Sequence, residues 1–155
     1  MTRRILLGMS GGVDSSVAAL LLQEEGWQVV GVTFHLWGGG HEGEDAAKVC
    51  AQLGIEHHQV DWREPFRRQV VEPFVEGYQR GETPNPCIFC NRAIKFGRAF
   101  QLARELDCQG ISTGHYARIL QREGEWVLCQ AAHLPKDQSY VLYQLEREQL
   151  PLVRF

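Results

Sequence analysis

Ser10-Gly11-Gly12-Val13-Asp14-Ser15 follows directly on the apolar run Ile5-Leu6-Leu7-Gly8-Met9 and opens into Ser15-Ser16-Val17-Ala18-Ala19-Leu20-Leu21-Leu22. A short apolar run, two adjacent glycines and a helix-forming stretch read as strand, tight loop, helix. Glycines let the backbone approach an anion closely. The N–H groups and positive dipole end of the following helix then hold it. The chain therefore begins with a phosphate grip, and that fixes how the next elements must be arranged around it.

The form of the grip is specific. No Lys follows the glycines, so it is not G-x-x-x-x-G-K-[ST]. It is not the dinucleotide pattern G-x-G-x-x-G either. Ser-Gly-Gly-x-Asp-Ser resembles the pyrophosphate loop of the ATP pyrophosphatase (PP-loop) superfamily. That resemblance implies cleavage of ATP between its α and β phosphates, transfer of AMP to a substrate oxygen, and help from Asp14 in placing Mg²⁺.

The 155 residues are enough for one domain with a real core, and 44% hydrophobic with 23% charged residues is ordinary for a globular protein. No apolar run approaches the roughly 18 residues of a membrane span. The start Met-Thr-Arg-Arg, with its short apolar run, is too short for a signal peptide, so a cytoplasmic protein without membrane partners is expected. Five cysteines in that setting suggest catalytic, metal-binding or buried thiols rather than disulfides. Net charge hides a local asymmetry. Between positions 80 and 104, Arg80, Arg92, Lys95, Arg98 and Arg104 stand against Glu82 alone. That local +4 leaves −7 for the remainder of a chain whose net charge is −3. Such a patch suits a phosphate backbone, or is simply a solvated helix face.

Strand and helix patterns alternate. Strands are expected over Arg4–Met9, Trp27–Phe34, Ile55–Asp61 and Gly110–Thr113, and helices over Ser15–Glu25, Glu44–Leu53, Glu64–Gln79 and Cys90–Leu106. Gly38-Gly39-Gly40 reads as a flexible break. On the last helix Ala93, Phe96, Ala99, Phe100, Ala103 and Leu106 make one face, and Arg92, Lys95 and Arg98 another. Ala117–Leu120 and Trp126–Gln130 flank Arg122-Glu123-Gly124-Glu125 as a β-hairpin. The expected fold class is α/β, a Rossmann-like parallel sheet with helices on both faces and a hairpin near the C-terminus. Ligands of such sheets sit at strand carboxyl ends. Ser10–Ser15, Phe34, Asp61 and Thr113-Gly114-His115 are thus expected to line one crevice.

A second cluster is Thr83-Pro84-Asn85-Pro86-Cys87-Ile88-Phe89-Cys90-Asn91. Two prolines stiffen the approach, and Cys87 and Cys90 stand at the mouth of a helix. A thiol there, next to Arg92, is expected to have a lowered pKa. One Cys-x-x-Cys is half a zinc site, and His115 is a candidate to complete one. Cys50, Cys108 and Cys129 fit small buried hydrophobes.

SGGVDSSVAALLL, TPNPCIFCNRAIKF, STGHYAR and PKDQSYVLY, in this order, resemble the tRNA-specific 2-thiouridylases. The resemblance runs over nearly the whole chain. It implies that residues 1–155 are the catalytic PP-loop domain, with a linking domain and a β-barrel to follow. It implies ATP at Gly8, Met9, Ser10, Gly11, Gly12, Val13, Asp14 and Ser15, with adenine near Phe34 and Gly114. The wobble uridine of tRNA would be flipped towards Asn85, Pro86 and Cys87. Its C2 carbonyl would be adenylated, and sulfur would then displace AMP. His115, Lys136, Asp137 and Gln138 would contact the tRNA. Lys136-Asp137-Gln138 is otherwise a polar loop, and Tyr140 and Tyr143 are equally core candidates.

Cys90 falls on the family's catalytic nucleophile. Cys87 departs from members that carry aspartate there, and resembles the branch holding a [4Fe-4S] cluster with its third ligand beyond this chain. Two sulfur routes follow, a persulfide relay and cluster-bound sulfide, the second slightly preferred. The donor is a cysteine desulfurase or relay protein, or sulfide. Two other readings share the loop: an amide-forming synthetase, and a fragment that binds ATP or tRNA without catalysis.

Overall fold

The computed structural model describes residues 3–38 and 43–155. Gly39 and Gly40 of the expected break lie outside the described residues. The apolar runs form a parallel sheet of five strands: β1 (Arg4–Gly8), β2 (Gln28–His35), β3 (Glu56–Asp61), β4 (Gly110–Ser112) and β7 (Val153–Arg154), in the order β3-β2-β1-β4-β7. β1 lies at the centre, with Leu7 opposite Gly31 on one side and Ser112 on the other. The chain enters in the middle and crosses out to both sides. The order therefore reverses at β1, which is where an open α/β sheet keeps its ligand crevice.

Alternation along the strands divides the core into two layers. Ile5, Leu7, Met9 and Val29 face α1 (Val13–Glu24) and α2 (Glu44–Leu53), meeting Ala19, Leu22, Ala46 and Cys50. Leu6, Val30, Val32 and Ile111 face the opposite way, towards Phe96, Ala99, Phe100 and Ala103. Both faces of the strands are covered, as the near-continuous apolar runs require.

The two helices of that second side are not uniform. α3 runs over 63–79 and contains a π-helical stretch, Arg67–Val71, just before Pro73. Proline has no N–H to bond back to Gln69 and its ring crowds that carbonyl, so the wider turn relieves the conflict. α4 runs over 86–105. It begins with a regular turn, Pro86–Cys90, continues as π-helix over Asn91–Arg98, and closes with Ala99–Glu105. A Cβ on Gly97 would lie 2.8 Å from the Arg92 carbonyl oxygen, the i, i+5 approach of a π turn. The start of α4 is tied down by Asn91, whose buried Nδ2 donates to the Val141 carbonyl at 3.1 Å.

The hairpin pairs β5 (Arg118–Arg122) with β6 (Glu125–Cys129) and turns through Glu123 and Gly124, both at positive φ. It is thus longer than the apolar segments alone suggested. The fifth strand, β7, has no sequence counterpart. It follows the short 3₁₀ turn Leu150–Leu152 and pairs Val153 with Ile111. No helix among the described residues is long and apolar enough to cross a membrane.

The β4–β7 pairing rests on one glycine. A Cβ at Gly110 would overlap the backbone carbonyl of Leu152. Gly110→Ala is expected to cost about 2–3 kcal/mol, read as a lower urea midpoint. An unchanged midpoint would show that β7 is not held there.

Candidate functional site

At the end of β1 the chain turns through Ser10, Gly11 and Gly12 into α1. Gly11 sits at φ +79, a left-handed conformation. A Cβ there would meet the Ala46 amide nitrogen at 2.7 Å and the Asp45 Cβ at 2.9 Å, so the loop lies flat against the start of α2. Ser10 and Ser15 knit the turn. The Gly12 N–H donates to Ser10 Oγ at 3.3 Å, the Ser10 N–H donates to Ser15 Oγ at 3.3 Å, and Ser16 Oγ donates to the Gly12 carbonyl at 2.8 Å. The first backbone bond of α1 runs from the Ser16 N–H to Gly12. The N–H groups of Val13, Asp14 and Ser15 therefore precede the helical ladder, the position from which a helix start can hold an anion.

This loop forms one wall of a cavity of about 470 Å³ at the carboxyl end of the sheet. That size suits a nucleotide-sized ligand. Of the expected nucleotide residues, Gly8, Met9, Ser10, Asp14, Ser15, Phe34 and Gly114 line it. Gly11, Gly12 and Val13 do not line it, and Val13 is exposed. Phe34 is braced by Trp62, stacked at 4.8 Å, and so presents a fixed aromatic surface. Thr33 Oγ1 donates to the Met9 carbonyl at 2.8 Å and locks β2 to the loop.

One expected member is elsewhere. Asp61 ends β3 but does not line the cavity. Both of its carboxylate oxygens are taken by Arg63, which holds its pKa well below the usual range. A strand end at the edge of the sheet lies one strand too far from the switch point.

Lys95 was read from the sequence as part of an outward basic face, yet it lines the cavity. Arg92 is exposed, and Arg98 turns towards Glu64, Arg68 and Gln69. The π-helical stretch breaks the spacing that would have aligned the three. Thr113 and His115 also line the cavity. Thr113 Oγ1 and His115 Nδ1 are 2.7 Å apart, and the imidazole packs among Phe96 and Phe155. Burial, with the Lys95 charge nearby, lowers the His115 pKa to about 4, so the ring is neutral at pH 7.

Tyr116 is a link that sequence reading missed. Its hydroxyl donates to Asp14 Oδ1 at 2.9 Å, and its backbone N–H donates to Gln138 Oε1 at 2.9 Å. Lys136 is exposed, with its ammonium over the Tyr116 ring at 5.1 Å. Asp137 accepts from the Ala131 N–H and from Ser139 Oγ, each at 2.7 Å. Gln138 reaches the cavity wall, whereas Lys136 and Asp137 do not. The segment is thus a folded loop seated on Tyr116. Tyr140 and Tyr143 are exposed rather than core residues.

The Cys-x-x-Cys turn lies outside the cavity lining, on the same helix as Lys95. Asn85 caps it by accepting from the Cys87 N–H at 3.0 Å, and Pro86 fills the first helical position. Cys87 is exposed and Cys90 half-buried, and all five thiols are free. The lowered thiol pKa expected beside Arg92 is not found at Cys90. Burial pushes this thiol up, Lys95 opposes, and Cys87 adds to the rise. Cys90 stands at the far end of the first turn, away from the free N–H groups, and Arg92 points to solvent. Cys50 and Cys108 are core residues and Cys129 is half-buried. Among the described residues no group of three His, Cys, Asp or Glu is placed to hold a metal ion, so His115 does not complete a site with the two cysteines.

The family described as tRNA methyl transferase HUP domain matches residues 3–155. The chain belongs to that family. It is 49% identical over 161 residues to the tRNA-specific 2-thiouridylase MnmA of Syntrophotalea carbinolica, covering 99% of this chain and 46% of that protein. It is 48% identical over 158 residues to the protein of that name from Trichlorobacter lovleyi, covering 98% and 45%. The chain thus spans just under half the length of these curated relatives. A solved structure described as a predicted subunit of tRNA methyltransferase from Methanocaldococcus jannaschii shares the fold. Its TM-score is 0.55 at 17% identity, covering 72% of this chain and 53% of that one.

The buried imidazole gives this family member a pH signature. Below pH 6.5 the unfolded chain takes up a proton at position 115 that the folded chain refuses until about pH 4. Stability is complete above pH 6.5 and falls as the pH drops towards 4, by up to about 3 kcal/mol. Urea unfolding across this window is expected to show that loss and to lose most of it in His115→Gln. An identical pH slope in the variant would contradict the assignment.

Proposed function

We propose that the chain is the adenylating and sulfur-transfer unit of a tRNA 2-thiouridine synthase, an ATP-dependent tRNA-uridine 2-sulfurtransferase. The observation that carries this is the placement of Lys95. It stands in the wall of the nucleotide cavity five positions after Cys90 on one helix, so one rigid element connects the phosphate site to the thiols.

ATP would lie across the carboxyl end of β1. Its β and γ phosphates would take the N–H groups of Val13, Asp14 and Ser15, with Lys95 matching their charge. Adenine would rest on Phe34 beside Gly114. Asp14 would hold Mg²⁺, which supplies charge neutralisation to the departing pyrophosphate, while the Tyr116 hydroxyl orients the carboxylate. The neutral His115 ring, in the same wall, offers a hydrogen bond without adding charge. The C2 carbonyl oxygen of a flipped wobble uridine would attack the α phosphorus, and AMP would then leave from C2 as sulfur enters. Asn85, Pro86 and Cys87 at the start of α4, with the exposed Lys136, are the proposed tRNA contacts. Exposed Tyr140 and Tyr143 offer stacking surfaces for unpaired bases. Cys87 and Cys90 would supply two of the thiolates of a [4Fe-4S] cluster, and among the described residues no third His, Cys, Asp or Glu joins them.

AMP formation from ATP tests this reading. AMP is expected when unmodified tRNA is present and not without it, and Asp14→Ala is expected to slow it by about a hundredfold or more. AMP without tRNA, or AMP stimulated by a carboxylic acid and ammonia, would favour an amide-forming synthetase. No AMP under any condition would leave a binding fragment. Lys95→Ala should weaken ATP binding by about tenfold, the scale of one charge-assisted contact, with Arg92→Ala near wild type. Equal effects of the two would remove Lys95 from the phosphate site.

A further inference from the structure

His57 is a half-buried imidazole of β3 that does not line the nucleotide cavity, yet a continuous run of hydrogen bonds joins it to the phosphate loop. β3 pairs in parallel with β2, and His57 stands opposite Gly31. The missing side chain at Gly31 makes room for the ring. A Cβ there would lie 2.9 Å from Cys50 Sγ and 3.5 Å from His57 Cδ2. The ring leans along the sheet to Thr33, the next residue of β2 on that face, and its Nε2 comes 2.9 Å from Thr33 Oγ1.

The direction of donation is fixed along the run. The Thr33 hydroxyl has a single proton, and the Met9 carbonyl oxygen at 2.8 Å can only accept it. Thr33 Oγ1 therefore accepts from His57, which carries its proton on Nε2. Burial, with His58 and His35 nearby, lowers the His57 pKa, so the ring is neutral in this tautomer at pH 7. Met9 and Ser10 share a planar peptide, so a carbonyl held by Thr33 turns the Ser10 N–H to the opposite side. That N–H donates to Ser15 Oγ at 3.3 Å, and Ser15 Oγ donates to the Gly12 carbonyl at 3.2 Å. The Gly12 carbonyl belongs to the peptide whose N–H is that of Val13, the first residue of α1. Every donor points the same way, from β3 to the loop. Thr33, Met9 and Ser15 are each more than nine-tenths buried, where hydrogen bonds polarise one another most strongly.

We propose that His57 is a positioning residue for the phosphate loop, acting through Thr33 and the Met9–Ser10 peptide to hold the Val13 N–H towards a bound pyrophosphate group. This rests on the reading of residues 10–15 as the phosphate site. The bond from His57 occupies a lone pair of the Thr33 oxygen and commits the hydroxyl proton to Met9. Without it the Thr33 hydroxyl is free to rotate, and the Met9–Ser10 peptide loses its outer brace. β3 contributes no side chain to the cavity, and through this relay it sets the orientation of an amide that binds the anion.

Calorimetric titration with inorganic pyrophosphate tests this and needs neither tRNA nor turnover. His57→Leu removes the donor and is expected to weaken pyrophosphate binding about threefold to tenfold, the scale of one hydrogen bond. His57→Gln offers an N–H donor near the place of Nε2 and is expected to stay within about twofold of wild type. In a Thr33→Val background, His57→Leu is expected to cause no further loss, because the relay is already cut. A ¹⁵N-histidine spectrum gives a second readout. One slowly exchanging imidazole N–H, absent in His57→Gln, is expected to shift as pyrophosphate is added to the wild type. Wild-type affinity in His57→Leu, whatever its urea midpoint, would overturn the proposal. So would an imidazole signal indifferent to pyrophosphate, or His57→Gln as weak as His57→Leu, since the ring would then only fill space. No pyrophosphate binding by the wild type would remove the phosphate site itself, and the proposal with it.

Discussion

The close approach of the Gly11 backbone to the first amides of α2 is the contact on which the site depends. At a left-handed φ, a Cβ on Gly11 would stand only 2.7 Å from the Ala46 nitrogen, which leaves no room for a side chain. That contact flattens the loop, lets Ser10 and Ser15 close it, and turns the first N–H groups of α1 outwards. β1 carries the loop at the sheet centre because both of its neighbours pair in parallel with it, so the anion site opens where the strand order reverses. The proposed phosphate grip is thus a consequence of sheet order as much as of the glycines.

Around that fixed anion site the protein arranges charge sparingly. Lys95 is the cation brought into the cavity wall, and its helix is pinned by Asn91 at one end and by the Phe96 and Phe100 side chains in the core. His115 sits against two phenylalanine rings and stays neutral, which keeps a second positive charge away from Lys95. Asp14 is joined to the loop of Lys136 and Gln138 through Tyr116, 102 positions away in sequence. The cavity is thus joined to the thiol turn through α4 and to the Lys136–Gln138 loop through Tyr116.

The β1–loop–α1 unit was legible in the sequence because its cause is local: apolar run, paired glycines, helix. Glu44–Leu53 was legible to the residue, since Gly54 marks its end in the left-handed conformation. β7 was not, because two residues carry no periodicity and their pairing depends on Gly110, over forty positions earlier. The inward turn of Lys95 was hidden by the π-helical stretch, whose only local mark is Gly97. Asp61 was misplaced by treating all strand ends as equal, although only those at the centre of the sheet border the cavity. The thiol of Cys90 was expected to be acidic from its neighbours in sequence, but burial, which sequence spacing does not encode, dominates it.

Titration calorimetry with ATP and with inorganic pyrophosphate, on the wild type and on Gly11→Ala, tests the central claim most directly. The account predicts that ATP binds, that pyrophosphate competes with it, and that Gly11→Ala abolishes both while a circular dichroism spectrum shows the sheet intact. ATP binding undiminished by Gly11→Ala, or indifferent to pyrophosphate, would place the nucleotide somewhere other than the loop at the end of β1.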